Sequence, residues 1–532
     1  MGRSVSPDLD FLGPSLGEPL TPLNLLRRSA TSFGERTAMI AGERSFTYAE
    51  LEQMVKALAS MLVDRGVRPG DRVAVLAANS PLMLAAHFAV PYCGAVLVAL
   101  NIRLTPADLA GIVDHAGARL LLFDPDQETL AADLRVEAVS SVELEEAVKA
   151  GELAALEPRY DLSERDLIAL NYTSGTTGAP KGVMYEHRGA YLQALAMAQQ
   201  ARLGVESVYL WTLPMFHCNG WCFPWAVTAA GGTHVCVGKI DPADIWRSIR
   251  RHRVTHMSAA PTVLTSLAED PGAAPIQGDA LEVGTGGAPP SPALLARLAD
   301  LNIEVTHLYG LTETYGPSSI CVWHPEWDKL DRTARAKLKS RQGVATVLGG
   351  RLKVVDEEGD QVPQDGLAIG ELVLRGYNVA RGYFRDPEAT RAAGFHTWFR
   401  TGDLAVMHPD GYIELRDRSK DIIISGGENI PSVEVEHALC QHPDVLEAAV
   451  VGRPDQRWGE TPVAFVTLRP GSQLQASELI AHARSLLPGF KSPRDVIFGD
   501  LPKTGTGKVQ KYALRAALRS ECSEKGTYAD VS

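Results

Sequence analysis

From residue 47 to about residue 400, segments with the apolar spacing of helices alternate with segments that have the apolar pattern of strands. Residues 47–50 have the composition of a capping box, which predicts the start of an amphipathic helix. The runs 73–77 and 119–123 are continuous and rich in Val, Leu and Ala, as expected of strands that are buried on both faces. Strands of this kind, bracketed by helices, predict an α/β fold with mostly parallel sheets.

The pattern changes near residue 352. Between residues 352 and 379 short strands alternate with Gly and Asp turns, which predicts a small antiparallel sheet or barrel, and a similar group lies at 412–416. After Lys420 a compact unit begins. Its predicted elements are a helix at 432–442, strands at 448–451 and 463–468, and a helix at 476–487. The sequence therefore predicts a second, smaller domain whose boundary lies near residues 416–421.

Length and charge narrow the class of protein. The 532 residues exceed one ordinary domain, and a net charge of −12 argues against non-specific nucleic-acid binding. The most apolar stretch, residues 82–100, is interrupted by His87, Pro91 and Gly94. It predicts a buried helix, a turn and a buried strand, because a membrane span needs about 20 apolar residues without such breaks.

The termini and the cysteines indicate a cytoplasmic protein. The N-terminus lacks the charged and apolar regions of a secretory signal, and the C-terminus ends in Asp-Val-Ser, which is not a peroxisomal address. The seven cysteines are odd in number and contain no CxxC pair, which favours reduced thiols over a disulfide framework.

Residues 172–182 carry the first candidate chemistry. They contain four Ser or Thr hydroxyls, three glycines and Lys181, which together form the composition of a phosphate-binding loop. The spacing is not that of a Walker A loop. A flexible linker has a similar composition, but linkers seldom carry Pro-Lys-Gly directly before an apolar pair such as Val183-Met184.

This loop resembles the signature of the adenylate-forming superfamily, which includes acyl-CoA synthetases, firefly luciferase and peptide-synthetase adenylation domains. The resemblance covers about residues 47–516. Further matching motifs follow in the family's order: Tyr-Gly-Leu-Thr-Glu-Thr at 309–314, Tyr383, Thr-Gly-Asp at 401–403, Arg-Ser-Lys-Asp at 418–421, Gly-Gly-Glu-Asn at 426–429, and Pro-Lys-Thr-Gly-Thr-Gly-Lys at 502–508.

The resemblance implies a domain organisation. It consists of a large N-terminal domain, 1–417, of α/β subdomains plus a small β-barrel, then a hinge at 418–420 centred on Lys420, and a mobile C-terminal α+β domain, 421–532. Rotation of the small domain would exchange the loop of Lys508 for the loop of Gly426 and Gly427.

The resemblance also implies a nucleotide site. Glu313 and Thr173 would bind Mg²⁺, Tyr309 would stack on adenine, and Asp403 would accept hydrogen bonds from the ribose hydroxyls. Arg418 would contact the ribose or a phosphate. The remaining nucleotide-binding residues implied are Ser174, Gly175, Thr176, Thr177, Gly178, Lys181, Gly287, Ala288, Gly310, Thr312, Gly426 and Gly427.

Lys508 is the strongest candidate for catalysis, together with Glu313, Thr176 and His217. Lys508 would stabilise the charge that builds between the carboxylate and the α-phosphate. Several of the candidate residues also have an ordinary structural interpretation, in which they take no part in binding or catalysis. Glu313 would be a surface or capping carboxylate, Tyr309 a core tyrosine, Asp403 a turn residue, and Arg418 and Lys508 exposed charges. The order of the motifs favours the functional roles.

His217, Trp221, Gly286 and Gly310 are expected to form the acyl pocket, with Phe223 and Trp225 adding bulk at its mouth. A packed core histidine is one alternative for His217. A metal site with Cys218 and Cys222 is another, although nothing nearby completes a tetrahedral set. The segments around Trp221 and Trp323 resemble a branch that includes plant acyl-activating enzymes and bacterial ligases for short- and medium-chain acids or methylmercaptopropionate.

The function implied is activation of a carboxylic acid by ATP and Mg²⁺ to an acyl-adenylate, with release of pyrophosphate, followed by transfer to coenzyme A. A short- or medium-chain apolar acid is expected. Four alternatives remain open at this point: an aromatic acid, a carrier-protein thiol or an amine as acceptor, activation of a group other than a carboxylate, and a non-catalytic protein that keeps the fold. The oligomeric state, monomer or homodimer, is also open.

Overall fold

A computed structural model describes residues 18–150, 162–173, 180–287, 290, 292–418, 421–426, 428–455, 457–503 and 509–524. The helices of these parts are α1 Pro22–Phe33, α2 Tyr48–Asp64, α3 Pro81–Tyr92, α4 Pro106–Ala116, α5 Glu128–Ala132, α6 Ser141–Ala150, α7 His187–Gln200, α8 Cys218–Trp221, α9 Phe223–Ala230, α10 Pro242–His252, α11 Pro261–Glu269, α12 Pro292–Asp300, α13 Arg332–Lys339, α14 Pro387–Ala392, α15 Ser432–Leu439, α16 Ala476–Leu486 and α17 Lys511–Glu524.

The strands divide into four sheets. They are β1 Thr37–Ala41, β2 Arg44–Thr47, β3 Arg72–Leu76, β4 Val96–Ala99, β5 Ala118–Phe123, β6 Ala138–Ser140, β7 Leu167–Thr173, β8 Lys181–Glu186, β9 Val208–Trp211, β10 Thr233–Cys236, β11 His256–Ala259, β12 Leu281–Thr285, β13 Ile303–Leu311, β14 Gly316–Ile320, β15 Val344–Ala345, β16 Arg351–Val355, β17 Gly370–Arg375, β18 Phe399–Met407, β19 Ile413–Arg418, β20 Ile423–Ser425, β21 Glu428–Ile430, β22 Val445–Asp455, β23 Gly459–Leu468 and β24 Asp495–Phe498.

Local signals in the sequence account for the first elements. Thr47 caps α2, and the reciprocal hydrogen bond from its own backbone to Glu50 completes the predicted capping box. The apolar stretch 82–100 is the buried helix α3, a turn and the buried strand β4, as expected. Among the described residues, no helix has the length and apolar character that a bilayer crossing requires.

Two large sheets build the N-terminal domain. One has six strands in the order β6-β5-β3-β4-β7-β8, and the other has nine in the order β15-β14-β13-β12-β11-β9-β10-β1-β2. The pairs β3·β4, β3·β5, β9·β10, β11·β12 and β12·β13 are parallel. The predicted α/β architecture is therefore confirmed, and three clusters of buried apolar residues pack these sheets and their helices together.

Two smaller sheets follow along the chain. The expected small sheet or barrel is a four-stranded antiparallel sheet in the order β16-β17-β18-β19. The C-terminal domain contains a five-stranded mixed sheet in which β24 runs parallel to β23, and α15, α16 and α17 pack against it. All four elements predicted between residues 432 and 487 are present with small shifts of their ends.

Candidate active site

Parallel strand pairing brings several candidate residues to one edge of the nine-stranded sheet. β9, β11, β12 and β13 run in the same direction, so their carboxyl ends meet there. His217 follows β9, Gly286 and Gly287 follow β12, and Thr312 and Glu313 follow β13. The crevice beyond the carboxyl ends of parallel strands is where ligands bind in α/β proteins.

The two ends of the candidate phosphate loop lie side by side. Thr173 ends β7, Lys181 begins β8, and the two residues are directly paired in an antiparallel ladder. The loop is therefore the connection between two adjacent strands. Its residues Ser174, Gly175, Thr176, Thr177 and Gly178 lie outside the described parts of the chain.

Tyr383 connects the phosphate loop to the candidate metal ligand. Its hydroxyl donates a 2.9 Å hydrogen bond to Oε1 of Glu313, and the Lys181 ammonium lies 4.8 Å from the centre of its ring. Burial and the adjacent Glu313 carboxylate raise the pKa of Tyr383, so the phenol stays protonated and acts as the donor. Tyr383 therefore contacts a carboxylate through its hydroxyl and the ammonium of Lys181 through its ring.

This arrangement fits a magnesium ion. Mg²⁺ in nucleotide sites takes one or two carboxylate ligands and fills its other positions with phosphate oxygens and water. Glu313 would supply the carboxylate, and the hydrogen bond from Tyr383 would fix its orientation. Bound there, the ion would neutralise phosphate charge beside Lys181.

A second link joins β13 to the small antiparallel sheet. The hydroxyl of Tyr309 donates a 2.7 Å hydrogen bond to Oδ2 of Asp403, and both residues are almost completely buried. Asp403 on β18 is the direct partner of Arg418 on β19. The three positions expected around the nucleoside therefore lie together, although the structure does not describe the side chain of Arg418. Lys181, Tyr309, Glu313, Tyr383 and Asp403 are called the site floor below.

Close backbone packing holds the floor in place. Gly310 pairs with Pro317 and lies so near the next strand that an added Cβ would stand 1.9 Å from the carbonyl oxygen of Gly316. No side chain fits at that distance. Gly287 differs, because its φ of +87° lies in the left-handed region while the space around it is open. Gly287 is therefore suited to a turn of the backbone rather than to close packing.

The segment after His217 has an unusual backbone. Cys218, Asn219, Gly220, Trp221 and Cys222 all have positive φ, between 48° and 65°, so α8 is a left-handed turn. Such a conformation costs about 1–2 kcal/mol per non-glycine residue and persists only where the surroundings impose it. Asn171 contributes to this by donating to the Asn219 side chain at 2.6 Å and accepting from its backbone N–H at 3.2 Å.

This left-handed turn places Trp221 between two glycines. A Cβ on Gly286 would lie 3.1 Å from the indole ring, and one on Gly316 would lie 3.1 Å from the backbone and side chain of Trp221. The ring therefore fills the space that their missing side chains leave. His217 is half-buried at the start of the turn, and its neighbour Cys218 contacts the hydroxyl of Thr312 at 3.3 Å. The acyl-pocket candidates thus adjoin the strand end that carries Glu313.

The expectation that Phe223 and Trp225 border the pocket mouth is wrong. Phe223 is buried and stacks on Tyr209, and Trp225 is fully buried with its indole N–H donating to the carbonyl of His87. Both belong to the core because the left-handed turn ends at Cys222 and α9 then runs inward. The metal alternative for His217 also finds no support, since the described residues hold no group of three His, Cys, Asp or Glu side chains near enough to share an ion.

Several candidates belong to the small domain or lie outside the described residues. Gly426 packs against Trp458, where its φ is +62°, and its N–H donates to the Trp458 carbonyl at 2.7 Å. The contacts described for it do not connect it with the site floor. Ala288, Lys420, Gly427 and Lys508 lie outside the described parts of the chain.

Two tyrosines near the floor were missed by reasoning from the sequence. Tyr383 was noted only as a motif position, without a role. Tyr185, four residues after Lys181, donates a 2.7 Å hydrogen bond to the carbonyl of Thr312 and stacks on Tyr315. Its place on β8, which alternates faces after the loop, was the available signal. The six cysteines whose side chains the structure describes form no disulfide with one another.

Comparisons with known proteins agree with this architecture. The family of AMP-binding enzymes matches residues 26–384, and the AMP-binding enzyme C-terminal domain matches residues 434–508. The chain is 44% identical to the 2-methylpropanoate–CoA ligase of Humulus lupulus, over 95% of this chain and 96% of that one. It is 43% identical to the peroxisomal acetate/butyrate–CoA ligase of Arabidopsis thaliana, over 96% and 97% of the two chains.

A solved structure with a similar fold is that of ATP-bound MatB from Rhodopseudomonas palustris. It is 29% identical, has a TM-score of 0.83, and the match covers 94% of this chain and 99% of that one. The two matched family segments and the overall fold therefore agree. The chain belongs to the AMP-binding enzyme family, within the adenylate-forming superfamily that its motifs resemble.

Proposed function

We propose that this enzyme activates a short-chain carboxylic acid with ATP and transfers the acyl group to coenzyme A. The observation that carries the proposal is the bonded floor, in which one carboxylate and one ammonium flank Tyr383 while a second carboxylate is held by Tyr309. The names of the two relatives, both CoA ligases and both matched along nearly the whole chain, support coenzyme A as the acceptor.

In the first step, a carboxylate oxygen of the acid forms a bond to the α-phosphorus, and the bond to the β-phosphate breaks. Pyrophosphate leaves. This displacement brings several anionic groups together, so the site must neutralise charge and hold the groups in line. Lys181 and the Mg²⁺ held by Glu313 would act on the leaving phosphates. Lys508 would bridge the carboxylate and the α-phosphate.

In the second step, the thiol sulfur bonds to the acyl carbon, the bond to AMP breaks, and the thiol proton is released. We propose that the small domain, residues 421–532, turns on the hinge 418–420 relative to residues 1–417 between the two steps. Proline at Lys420 should then permit adenylate formation and block thioester formation. Normal overall turnover of Lys420→Pro would contradict the hinge.

The size of the acid is proposed from Trp221. Its indole occupies the space beside Gly286 and Gly316, at the strand ends that carry the acyl-pocket candidates. A large rigid ring at this place leaves room for a short chain. The printed substrates of the two relatives, 2-methylpropanoate and acetate or butyrate, support a short acid for this chain as well. We further propose that the protein is cytoplasmic and that it forms a homodimer.

The experiment that tests the function is pyrophosphate release with acids from acetate to octanoate and with benzoate. The acyl product is identified by mass spectrometry, with and without coenzyme A. Acyl-CoA from a short acid is the expected result. An adenylate that reacts only with a carrier protein or an amine, or a preference for benzoate, would contradict the proposal.

Two variants sharpen this experiment. Lys508→Ala should lose adenylate formation by orders of magnitude and keep thioester formation from supplied acyl-adenylate. Equal loss in both steps would remove Lys508 from the adenylation step. Trp221→Ala should move the optimum towards longer acids, and an unchanged chain-length profile would remove Trp221 from the acyl pocket.

A further inference from the structure

A group of charged side chains is packed between the two domains, where the chain passes from β19 into the small domain. It is called the linker cluster. Its members are Asp417, Asp421, Ser432, Glu436, Lys511 and Arg515. The candidate mechanism uses none of these side chains, and they are too well shielded from solvent to be an ordinary solvated surface.

Lys511 lies at the centre of the linker cluster. Its ammonium forms an ion pair of 2.7 Å with Oε1 of Glu436 and donates to the hydroxyl of Ser432. The side chains of Lys511 and Glu436 are only 14% and 16% exposed. Burial opposes the charge on Lys511, but Glu436, Asp417 and Asp421 together hold its pKa above the ordinary value. The three carboxylates therefore favour the charged ammonium of Lys511.

Asp417 is the member that crosses the domain boundary. It is the next-to-last residue of β19, in the large domain, and is 4% exposed. Its Oδ2 accepts a hydrogen bond from the backbone N–H of Ser432, the first residue of α15 in the small domain. A carboxylate at a helix N-terminus satisfies an otherwise unpaired donor and also interacts favourably with the helix dipole.

Three other polar contacts lie either within the small domain or at the exposed surface, unlike the buried bond between Asp417 and Ser432. The 2.5 Å ion pair between Asp421 and Arg515 and the pair between Lys511 and Glu436 each join two residues of the small domain. Glu269 and Arg469 form a pair between the domains, but both side chains are more than 40% exposed. A buried charged hydrogen bond contributes several times more than an exposed ion pair.

We infer that Asp417 is a positioning residue that fastens α15, and with it the small domain, to the last strand of the large domain in the orientation seen here. The inference rests on the domain division of the proposed function. Lys511 supports it by supplying the positive charge that makes burial of the Asp417 carboxylate favourable. Any turn of the small domain about residues 418–420 must break the bond between Asp417 and Ser432.

The orientation can be measured without any substrate. Positions 269 and 469 are adjacent in this orientation and exposed, so Glu269→Cys and Arg469→Cys can carry a fluorescent donor and acceptor on the full-length chain. Losing their exposed ion pair has little effect by itself. Five of the six described native cysteines are buried, and labelling of the chain without the two new cysteines measures the background. Single-molecule energy transfer then gives the ratio of molecules with the labels apart to molecules with the labels together.

Two variants remove the same bond from opposite sides. Asp417→Ala deletes the acceptor, and Ser432→Pro deletes the donor. Proline is tolerated at the first position of a helix, and the preceding Pro431 already has the extended ψ of 120° that a following proline requires. Each variant should raise the ratio of separated to adjacent labels at least about fivefold. Asp417→Asn keeps an acceptor oxygen, so it should raise the ratio less.

Ser432→Ala is the matched control. It removes the hydroxyl that Lys511 contacts but keeps the N–H that Asp417 accepts, so the ratio should change less than about twofold. An unchanged ratio in both Asp417→Ala and Ser432→Pro would overturn the inference. Equal effects of Ser432→Ala and Ser432→Pro would also overturn it, because the hydroxyl would then be responsible.

Kinetics of the same variants connect the bond to catalysis. The rates of adenylate formation and of thioester formation should change by different factors, because one orientation cannot serve both steps equally. A merely structural role would lower both rates together. If the parent enzyme forms no acyl-CoA, the proposed function fails while the label measurement still decides the role of Asp417.

Discussion

The site floor and the linker cluster are held by different kinds of interaction. In the floor, β13 approaches β14 so closely that Gly310 has no room for a methyl group, and Tyr309 and Tyr383 each fix one carboxylate. In the linker cluster, the polar bonds of Lys511 and Arg515 join residues that lie up to 94 positions apart in the chain. One region is fixed by shape and the other by charge.

This difference suits two kinds of task. Close packing has one good arrangement, because a shift of a few tenths of an ångström creates either a clash or a gap. Charged hydrogen bonds can be exchanged for others of similar strength in a second arrangement. A nucleotide site that must align phosphates benefits from the first kind, and a boundary between two domains that change orientation benefits from the second.

The largest expected effect is at Gly310. In Gly310→Ala the Cβ would lie 1.9 Å from the carbonyl oxygen of Gly316, so the two strands must move apart. We expect a loss of at least about 3 kcal/mol in the free energy of unfolding and no detectable adenylate formation. Chemical denaturation and pyrophosphate release measure the two effects.

Gly204→Ala is the control for this variant. Gly204 lies just before β9, its Cβ would meet no atom within 4 Å, and its φ is not in the left-handed region. Its stability should stay within about 0.5 kcal/mol of the parent. A Gly310→Ala enzyme as stable and active as Gly204→Ala would show that the floor is not fixed by close packing.

The second largest effect is the response of the large domain to acid. Burial lowers the pKa of His87 and His307 to about 4 and of His187 and His234 to about 3. The unfolded chain binds these protons near its ordinary pKa of about 6.5, so the stabilisation is complete above that pH and is lost as the pH falls towards the folded values. At about pH 5 each histidine lowers the free energy of unfolding by about 2 kcal/mol.

The linker cluster should respond to acid in the opposite direction. Burial raises the pKa of Glu436, so protonation of this carboxyl is easier in the folded chain than in the unfolded one, and mild acid does not destabilise it. Urea unfolding at about pH 7 and about pH 5, followed by tryptophan fluorescence, measures the response. The free energy of unfolding should fall between these two pH values, and His87→Met should make that fall smaller by about 2 kcal/mol. An unchanged difference would mean that buried histidines do not cause the acid sensitivity.

Sequence reasoning succeeded where the signal is local and failed where it is tertiary. The capping box at Thr47 depends on a few neighbouring residues, so composition revealed it. The register that places Asp403 opposite Arg418 could be inferred only through the resemblance. The left-handed turn from Cys218 to Cys222 is imposed by distant contacts such as that of Asn171, and no short-range pattern encodes it.

The same reason explains the misplaced aromatic residues and the missed charges. Phe223 and Trp225 are as bulky and apolar as Trp221, and only the direction of the chain after the turn decides which ring faces the site. Asp417 and Lys511 lie in charged segments that resemble solvated surface. Their burial depends on how β19 and α17 each meet α15, which is a property of the folded chain.

The third largest effect is expected when the hydroxyl group of Tyr383 is removed. In Tyr383→Phe the ring remains, so the contact with Lys181 is kept, but the hydrogen bond to Glu313 is lost. We expect an increase of about three- to tenfold in the Mg²⁺ concentration needed for half-maximal adenylate formation, because the ligand is no longer held in place. Calorimetric titration of ATP with and without Mg²⁺ should show a weaker magnesium dependence of binding. An unchanged requirement for Mg²⁺ would separate Tyr383 from the role of Glu313.

The smallest effect is expected at the exposed pair between the domains, Glu269 and Arg469. Both side chains are more than 40% exposed, so water screens the attraction and ordering two long side chains opposes it. Glu269→Ala should therefore change the rates of both half-reactions and the salt dependence of turnover by less than about twofold. Asp417 joins the same two domains from a buried position, so the ranking of the two variants tests whether burial decides their contribution. If Glu269→Ala altered the balance of the half-reactions as much as Asp417→Ala, the domain orientation would depend on surface charge, and turnover would fall as salt is added.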